Sequence, residues 1–566
     1  MNANHNLKNI LILLVIMSGI ILFGLECTRR RSATLAIVNA TIWTGEDEYP
    51  TATAVAIWHN KIIAVGNDAE IQRYITPQTH VIDAHGLFIV PGFIDSHLHF
   101  LEGGRRLNEV QLRDARSRSE FVHRIQEYAV RCKPDTWIIG GDWDHSLWGG
   151  QLPDRHWIDA VTPHNPVWIN RLDGHMALAN SLALKAAGID ANTPDIPGGT
   201  IVRDSMGEPT GILKDNAMAL VEKILPEPNE EEKLTALKAA MQYVAAQGVT
   251  SVHHMGGWDD LAIFVKAFQQ GELQTRIYAA VPLATYQDLA SRRKDYKKYE
   301  PWLKVGAVKG FVDGSLGSHT AAFLENYTDT PRDSGLLVNS PADLRELISG
   351  ADHAGLQVCM HAIGDRANRL ILDIYAQVSQ QNGRRDRRFR VEHAQHLSPA
   401  DIPRFKKLNV IASMQPYHAI DDGRWAEKFI GIERCRTTYA FRSLLNHHTK
   451  LAFGSDWYVA PPTPLDGIYA AVTRRTLDDR NPDGWISEQK ISVAEALKAY
   501  TIDAAYASFD EKIKGSLKVG KLADLVLLDR NLFQIAPPEI RQTKVLLTIC
   551  DGKIIFDQME QHFRGE

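Results

Sequence analysis

The sequence predicts an α/β protein built on a (β/α)8 TIM-like barrel, with a small composite β-sandwich domain made from both chain ends. Three observations predict it. Short β-branched runs recur along the chain, each followed by a helical stretch, as parallel strands joined by crossover helices require. Alternating, turn-punctuated runs appear near the start and return near the end. Several of the central runs close on His, Lys or Asp, and catalytic groups of such barrels sit at the carboxyl ends of different strands.

The chain opens with Lys8 before an apolar stretch, 10–25, interrupted only by Ser18 and Gly19. Residues 1–31 therefore read as a signal peptide or membrane anchor outside the fold. The expectation is an exported or membrane-tethered protein whose membrane contact runs through this segment. Arg29, Arg30 and Arg31 outnumber Lys8, so a cytoplasmic-side anchor is the alternative. Cys27 stands where a lipoprotein cysteine would, but Glu26 and Gly24 fit that signal poorly.

Runs 35–40, 54–57 and 61–66 alternate as strands, with His59-Asn60 as a turn between the last two. Runs 523–529 and 545–556 do the same, the latter turning at Asp551-Gly552. Segments 32–90 and 515–560 are expected to close one β domain.

The barrel is assigned to 91–514. Nine runs compete for eight places: 87–99, 137–140, 167–170, 248–253, 305–312, 356–361, 389–393, 410–414 and 451–456. One of the two between Trp137 and Asn170 is assigned to an insertion within about 100–247, an interval far longer than one βα unit needs. Residues 230–247 read as a helix, with Leu234, Leu237, Ala240, Met241 and Val244 at helical spacing before Gly248.

Lys plus Arg total 63 and Asp plus Glu 68, a net charge of -5 that gives no electrostatic footing for a nucleic-acid partner. None is expected. The five cysteines are scattered without metal-binding or disulfide-framework spacing. A homo-oligomer stays open.

His97 and His99 lie two apart, so on one strand their side chains share a side. With 22 histidines in 566 residues, roughly one such pair is expected by chance. Its weight comes from Lys309, His361, His393 and Asp456 at the ends of later runs. Four imidazoles and a carboxylate suit a divalent ion such as zinc. Lys309 fits once burial beside cations lowers its pKa, because a neutral amine captures carbon dioxide. The carbamate is an anionic ligand able to bridge two ions, so one or two are expected.

The chain here resembles the metal-dependent amidohydrolase superfamily, in particular amidohydrolase family 3, the group that includes N-substituted formamide deformylases. The resemblance spans about 34–557. It is carried by Pro91-Gly92-Phe93-Ile94-Asp95-Ser96-His97-Leu98-His99, Lys309-Gly310-Phe311-Val312-Asp313-Gly314-Ser315-Leu316-Gly317-Ser318 and His361-Ala362-Ile363-Gly364-Asp365. Glu392-His393-Ala394-Gln395, Gly454-Ser455-Asp456 and Val519-Gly520-Lys521-Leu522-Ala523-Asp524 complete it. It implies that His97, His99, Lys309, His361, His393 and Asp456 bind metal and that Asp456 handles protons. The expected reaction is hydrolysis of a non-peptide C–N bond in a small amide-type substrate, with water activated by the metal and Asp456 as proton shuttle. The resemblance also puts His175, Asp313 and His319 near substrate. His319 departs from the family, which often carries Arg there.

A mononuclear deaminase on the same barrel would carry Glu in a His-x-x-Glu arrangement, and after His361 the chain runs Ala-Ile-Gly-Asp. A non-catalytic exported binding protein is the third class, against which the six retained ligand candidates argue. His253, His254, His396, His418, His447 and His448 read as core or supporting histidines.

Overall fold

The computed structural model describes residues 31–172, 176–196, 199–317 and 319–564. The N-terminal segment 1–30, read above as a signal or anchor, and the expected substrate residue His175 lie outside the described residues. Among the described residues no helix is long and apolar enough to cross a membrane.

Eight parallel strands form the central sheet, ordered in space as in sequence. They are β1 (Phe93–Leu98), β2 (Val249–Met255), β3 (Arg276–Pro282), β4 (Leu303–Phe311), β5 (Gln357–Ala362), β6 (Arg390–His393), β7 (Ile411–Met414) and β8 (Leu451–Phe453). Their residues are buried almost throughout, as strands covered on both faces must be. The sheet closes through the segment after β8. The Asp456 N–H donates to the His97 carbonyl at 2.7 Å and the His99 N–H to the Trp457 carbonyl at 2.6 Å. Asp95 Oδ1 accepts the N–H groups of both His97 and Ser455 at 3.1 Å. The expected barrel is present.

Three strand expectations need correction. Runs 137–140 and 167–170 both belong to the insertion, as neighbours in a separate six-stranded sheet ordered Gly199–Arg203, Pro209–Asp215, Met176–Ala179, Val167–Arg171, Ile138–Trp143, Val110–Gln111. The remaining barrel place falls to β3, an alanine-rich run with no polar cluster at its end. The run before His97 is also two strands rather than one: Phe88–Pro91 pairs with Leu525–Leu528 outside the barrel, and β1 starts at Phe93. Between them Gly92 passes so close to Thr250 that a Cβ there would collide.

Two further sheets lie outside the barrel, one from the N-terminal part alone and one combining both ends of the chain. One is ordered Lys61–Gly66, Ala54–Trp58, Leu35–Val38, His80–Asp83, and the other Lys553–Asp557, Val545–Cys550, Leu525–Leu528, Phe88–Pro91, Thr41–Trp43, Thr51–Ala52. Ile37, Val55 and Ile57 of the first share a buried cluster with Ile42, Ile89, Leu525 and Leu547 of the second, so the sheets pack face to face. The turn at Asp551-Gly552 has φ of 56° and 72°, both left-handed as a type I′ hairpin demands.

The helix predicted at 230–247 spans Glu230–Ala246, capped by Asn229 and Glu232 in a reciprocal box. It buries Leu237, Ala240, Met241 and Val244. Its close neighbour Phe100–Arg106 follows His99 directly, and a Cβ on Gly104 would strike the Ala236 carbonyl. Helix packing thus fixes the exit of the chain from β1.

Candidate metal centre

The six predicted residues stand at the carboxyl ends of five strands. His97 is next to last in β1 and His99 is the residue after it; Lys309 is two from the end of β4, His361 next to last in β5 and His393 last in β6. Asp456 follows β8 by three residues.

Period two on β1 brings His97 and His99 to one point. Their Nε2 atoms lie 3.3 and 3.4 Å from Asp456 Oδ1. The His97 and His393 rings are 4.9 Å apart and those of His393 and His361 4.5 Å. Donor atoms of His97, His393 and Asp456 all fall within 4.8 Å of one another. Lys309 is buried, and its Nζ lies 4.2 Å from the centre of the Phe311 ring, itself 5.3 Å from His361.

Each imidazole is oriented from behind. His97 Nδ1 donates to Glu392 Oε2 at 2.6 Å, and His393 Nδ1 to Gln415 Oε1 at 2.9 Å. These bonds put the ring proton on Nδ1 and leave Nε2 with its lone pair. His361 is the reverse: Nε2 donates to the Gly314 carbonyl at 3.0 Å, leaving Nδ1 as the free donor.

Electrostatics fits cation binding. Burial, aided by the Lys309 ammonium, pushes His361 down to about 3. Burial and the neighbouring His361 hold His393 well below the usual histidine range. Both are therefore neutral ligands at pH 7. Burial alone would raise Asp456, but its contacts with His97 and His99 outweigh that and hold the carboxyl well below its ordinary range. Lys309 is lowered by burial despite the carboxylates Glu392 and Asp456. His97 Nε2 is buried and makes no hydrogen bond in the protein, facing the Asp456 carboxylate at 3.3 Å. Leaving such a group unpaired costs about 1–3 kcal/mol, and a divalent cation satisfies it.

Asp313 stands beside the centre, its Oδ1 3.6 Å from His361 Nε2. Asp313, expected near substrate, is 1% exposed and accepts from the N–H groups of Ala322, Ile363 and Gly364 at 2.8, 3.0 and 2.8 Å. Its carboxylate organises the loops after β4 and β5. His319 Nε2 stands 3.1 Å from both Asp329 oxygens, its ring between Tyr327 and Phe429.

Sequence reasoning missed Glu392, quoting it in a motif without a role, and Gln415 altogether. Arg390 and Glu392 are two apart in a short buried strand, a spacing that puts both charges on one side. That pattern was legible as a buried ion pair, whereas Gln415 carried no signal.

A parallel barrel that converges imidazoles and a carboxylate on one point is the architecture of a metal-dependent hydrolase. The comparisons agree. The amidohydrolase family profile matches residues 80–556, and the chain belongs to that family. The Arabidopsis thaliana protein LONG AFTER FAR-RED 3 is 42% identical over 537 residues, 93% of this chain and 92% of that protein. N-substituted formamide deformylase of Arthrobacter pascens is 27% identical over 541 residues, 93% and 98% of the two chains. The crystal structure of an uncharacterized metal-dependent hydrolase from Pyrococcus horikoshii OT3 superposes with a TM-score of 0.75 at 28% identity, covering 89% of this chain and 99% of that one. The protein is thus a metal-dependent amidohydrolase acting on carbon–nitrogen bonds.

Proposed function

We propose that the protein hydrolyses the amide bond of a small N-substituted substrate, with Asp456 as the proton shuttle. The observation that carries this is the buried Asp456 carboxylate within 3.4 Å of two histidine Nε2 atoms at the candidate centre. The resemblance to N-substituted formamide deformylase supports the amide class.

His97, His99, His361, His393, Lys309 and Asp456 would hold the metal, with zinc as the proposed ion and Lys309 as a carbamate in a two-ion site. When bound, such a centre supplies an activated water at neutral pH and stabilises developing negative charge. Asp456 accepts the proton of the attacking water. It then returns that proton to the departing nitrogen, because an amine leaves where an amide anion does not. Glu392 and Gln415 keep the His97 and His393 lone pairs turned inward throughout. The N-terminal segment supports export or membrane tethering, which fractionation of the native host tests.

The functional test is a panel of N-substituted formamides and other small amides, incubated with zinc-loaded protein and with Asp456→Asn. Release of amine with matching carboxylate is expected, falling at least about 100-fold in kcat in the variant. Ammonia released from aminopurines, with no amide cleaved, would overturn the reading.

A further inference from the structure

Beneath the candidate centre the barrel interior carries charge that the mechanism does not use. Arg390 lies 0% exposed at the heart of the barrel, with Glu392 and His253 equally buried. Its Nη2 donates to Glu392 Oε2 at 3.0 Å, to the Ser96 carbonyl at 2.5 Å and to Ser413 Oγ at 2.9 Å. Its Nε stands 2.7 Å from Glu392 Oε1, and its Nη1 donates to His253 Nδ1 at 3.0 Å. One guanidinium thus ties β1, β2, β6 and β7 together, and the carboxylate it holds, by the Nη2 hydrogen bond to Oε2 and the Nε ion-pair contact with Oε1, is the one that receives the His97 Nδ1 proton at 2.6 Å.

A planar fork is the group that can do this. Its fixed donors hold a carboxylate in one orientation, and a lysine in its place would offer a single rotating point charge. His253 closes the far side: its Nδ1 accepts the one fork nitrogen that reaches neither Glu392 nor a serine. Without that acceptor a buried donor is left unpaired and the fork is free to tilt. Tilting it moves Glu392, and Glu392 sets which His97 nitrogen carries the lone pair.

We propose that Arg390 and His253 are positioning residues for His97, acting through Glu392, and that this buried chain sets the affinity of the centre for a divalent cation. The proposal rests on the metal-centre reading. It assigns a role to His253, which the sequence placed only as a core or supporting histidine. The competing account is that the network merely staples four strands, in which case it governs stability and leaves cation affinity alone.

The two accounts separate in a zinc titration of the metal-free protein against a chromophoric chelator, with thermal melts of the same samples. Arg390→Lys and His253→Leu are expected to bind zinc about ten- to a hundred-fold more weakly, the range seen when a partner behind a metal-binding histidine is lost. His253→Gln, which keeps an acceptor, is expected to recover most of that loss. Folded variants with wild-type zinc affinity would overturn the proposal, whatever their melting temperatures. If Arg390→Lys does not fold, the His253→Leu and His253→Gln pair decides on the same criterion. Wild-type protein that binds no zinc would overturn the metal-centre reading and the proposal with it.

Discussion

His393 Nδ1 and Gln415 Oε1 face each other across 2.9 Å, joining the end of β6 to the residue that follows β7. Gln415 is 0% exposed, and His393 has 4% of its surface in contact with solvent. The bond therefore holds a metal-facing imidazole in one tautomer where no water competes for its proton. Neighbouring barrel strands thus supply both a ligand and its support.

Gln415→Leu removes that acceptor while keeping the volume. The expected result is a zinc affinity lower by about ten- to a hundred-fold, with Gln415→Glu close to wild type because it still accepts from Nδ1. Chelator competition on the metal-free proteins measures it. Equal affinity in all three would mean that packing alone sets the His393 ring.

A second buried pair joins the barrel to the sheets built from the chain ends. Arg276, on β3, meets Asp524 through Nε at 2.8 Å and Nη2 at 3.1 Å, and Asp551 at 2.7 Å. Asp524→Ala leaves the guanidinium buried beside Asp551 alone. Breaking such a pair costs about 3–5 kcal/mol, to be read from urea denaturation, with zinc bound per folded chain unchanged. A cost under about 1 kcal/mol would show that the joint rests on apolar contact.

His396 gives the stability a pH dependence. Burial, with Arg434 nearby, pushes it down to about 3. The unfolded chain regains a histidine pKa of about 6.5, so between these values the unfolded state binds more protons and stability falls as the pH drops. Relative to His396→Gln, wild type is expected to lose up to about 1.4 kcal/mol per pH unit below pH 6.5. A stability difference that stays flat from pH 7 to 4 would contradict this.

Much of this was legible in the sequence because it is local. Lys309, His361 and His393 close apolar runs that can only be buried strands, and a polar residue ending such a run needs a reason. Asp551-Gly552 names its own turn. What stayed hidden depends on which sheet a strand joins. Runs 138–143 and 167–171 are as apolar as barrel strands because they too lie in a covered, partly parallel sheet. Arg276–Pro282, a true barrel strand, ends on Pro282 and carries no chemistry at its carboxyl end. Asp313 is a related case: its motif marks a site loop, but only the fold shows three backbone N–H groups bonded to the carboxylate.

The two-ion site proposed above has Lys309 as a carbamate bridging its ions. Metal content per chain, by elemental analysis of full-length protein and of Lys309→Ala, tests it most directly. About two ions are expected in the wild type and one or none in the variant. About one ion in both would contradict the bridged site and leave a mononuclear centre in its place.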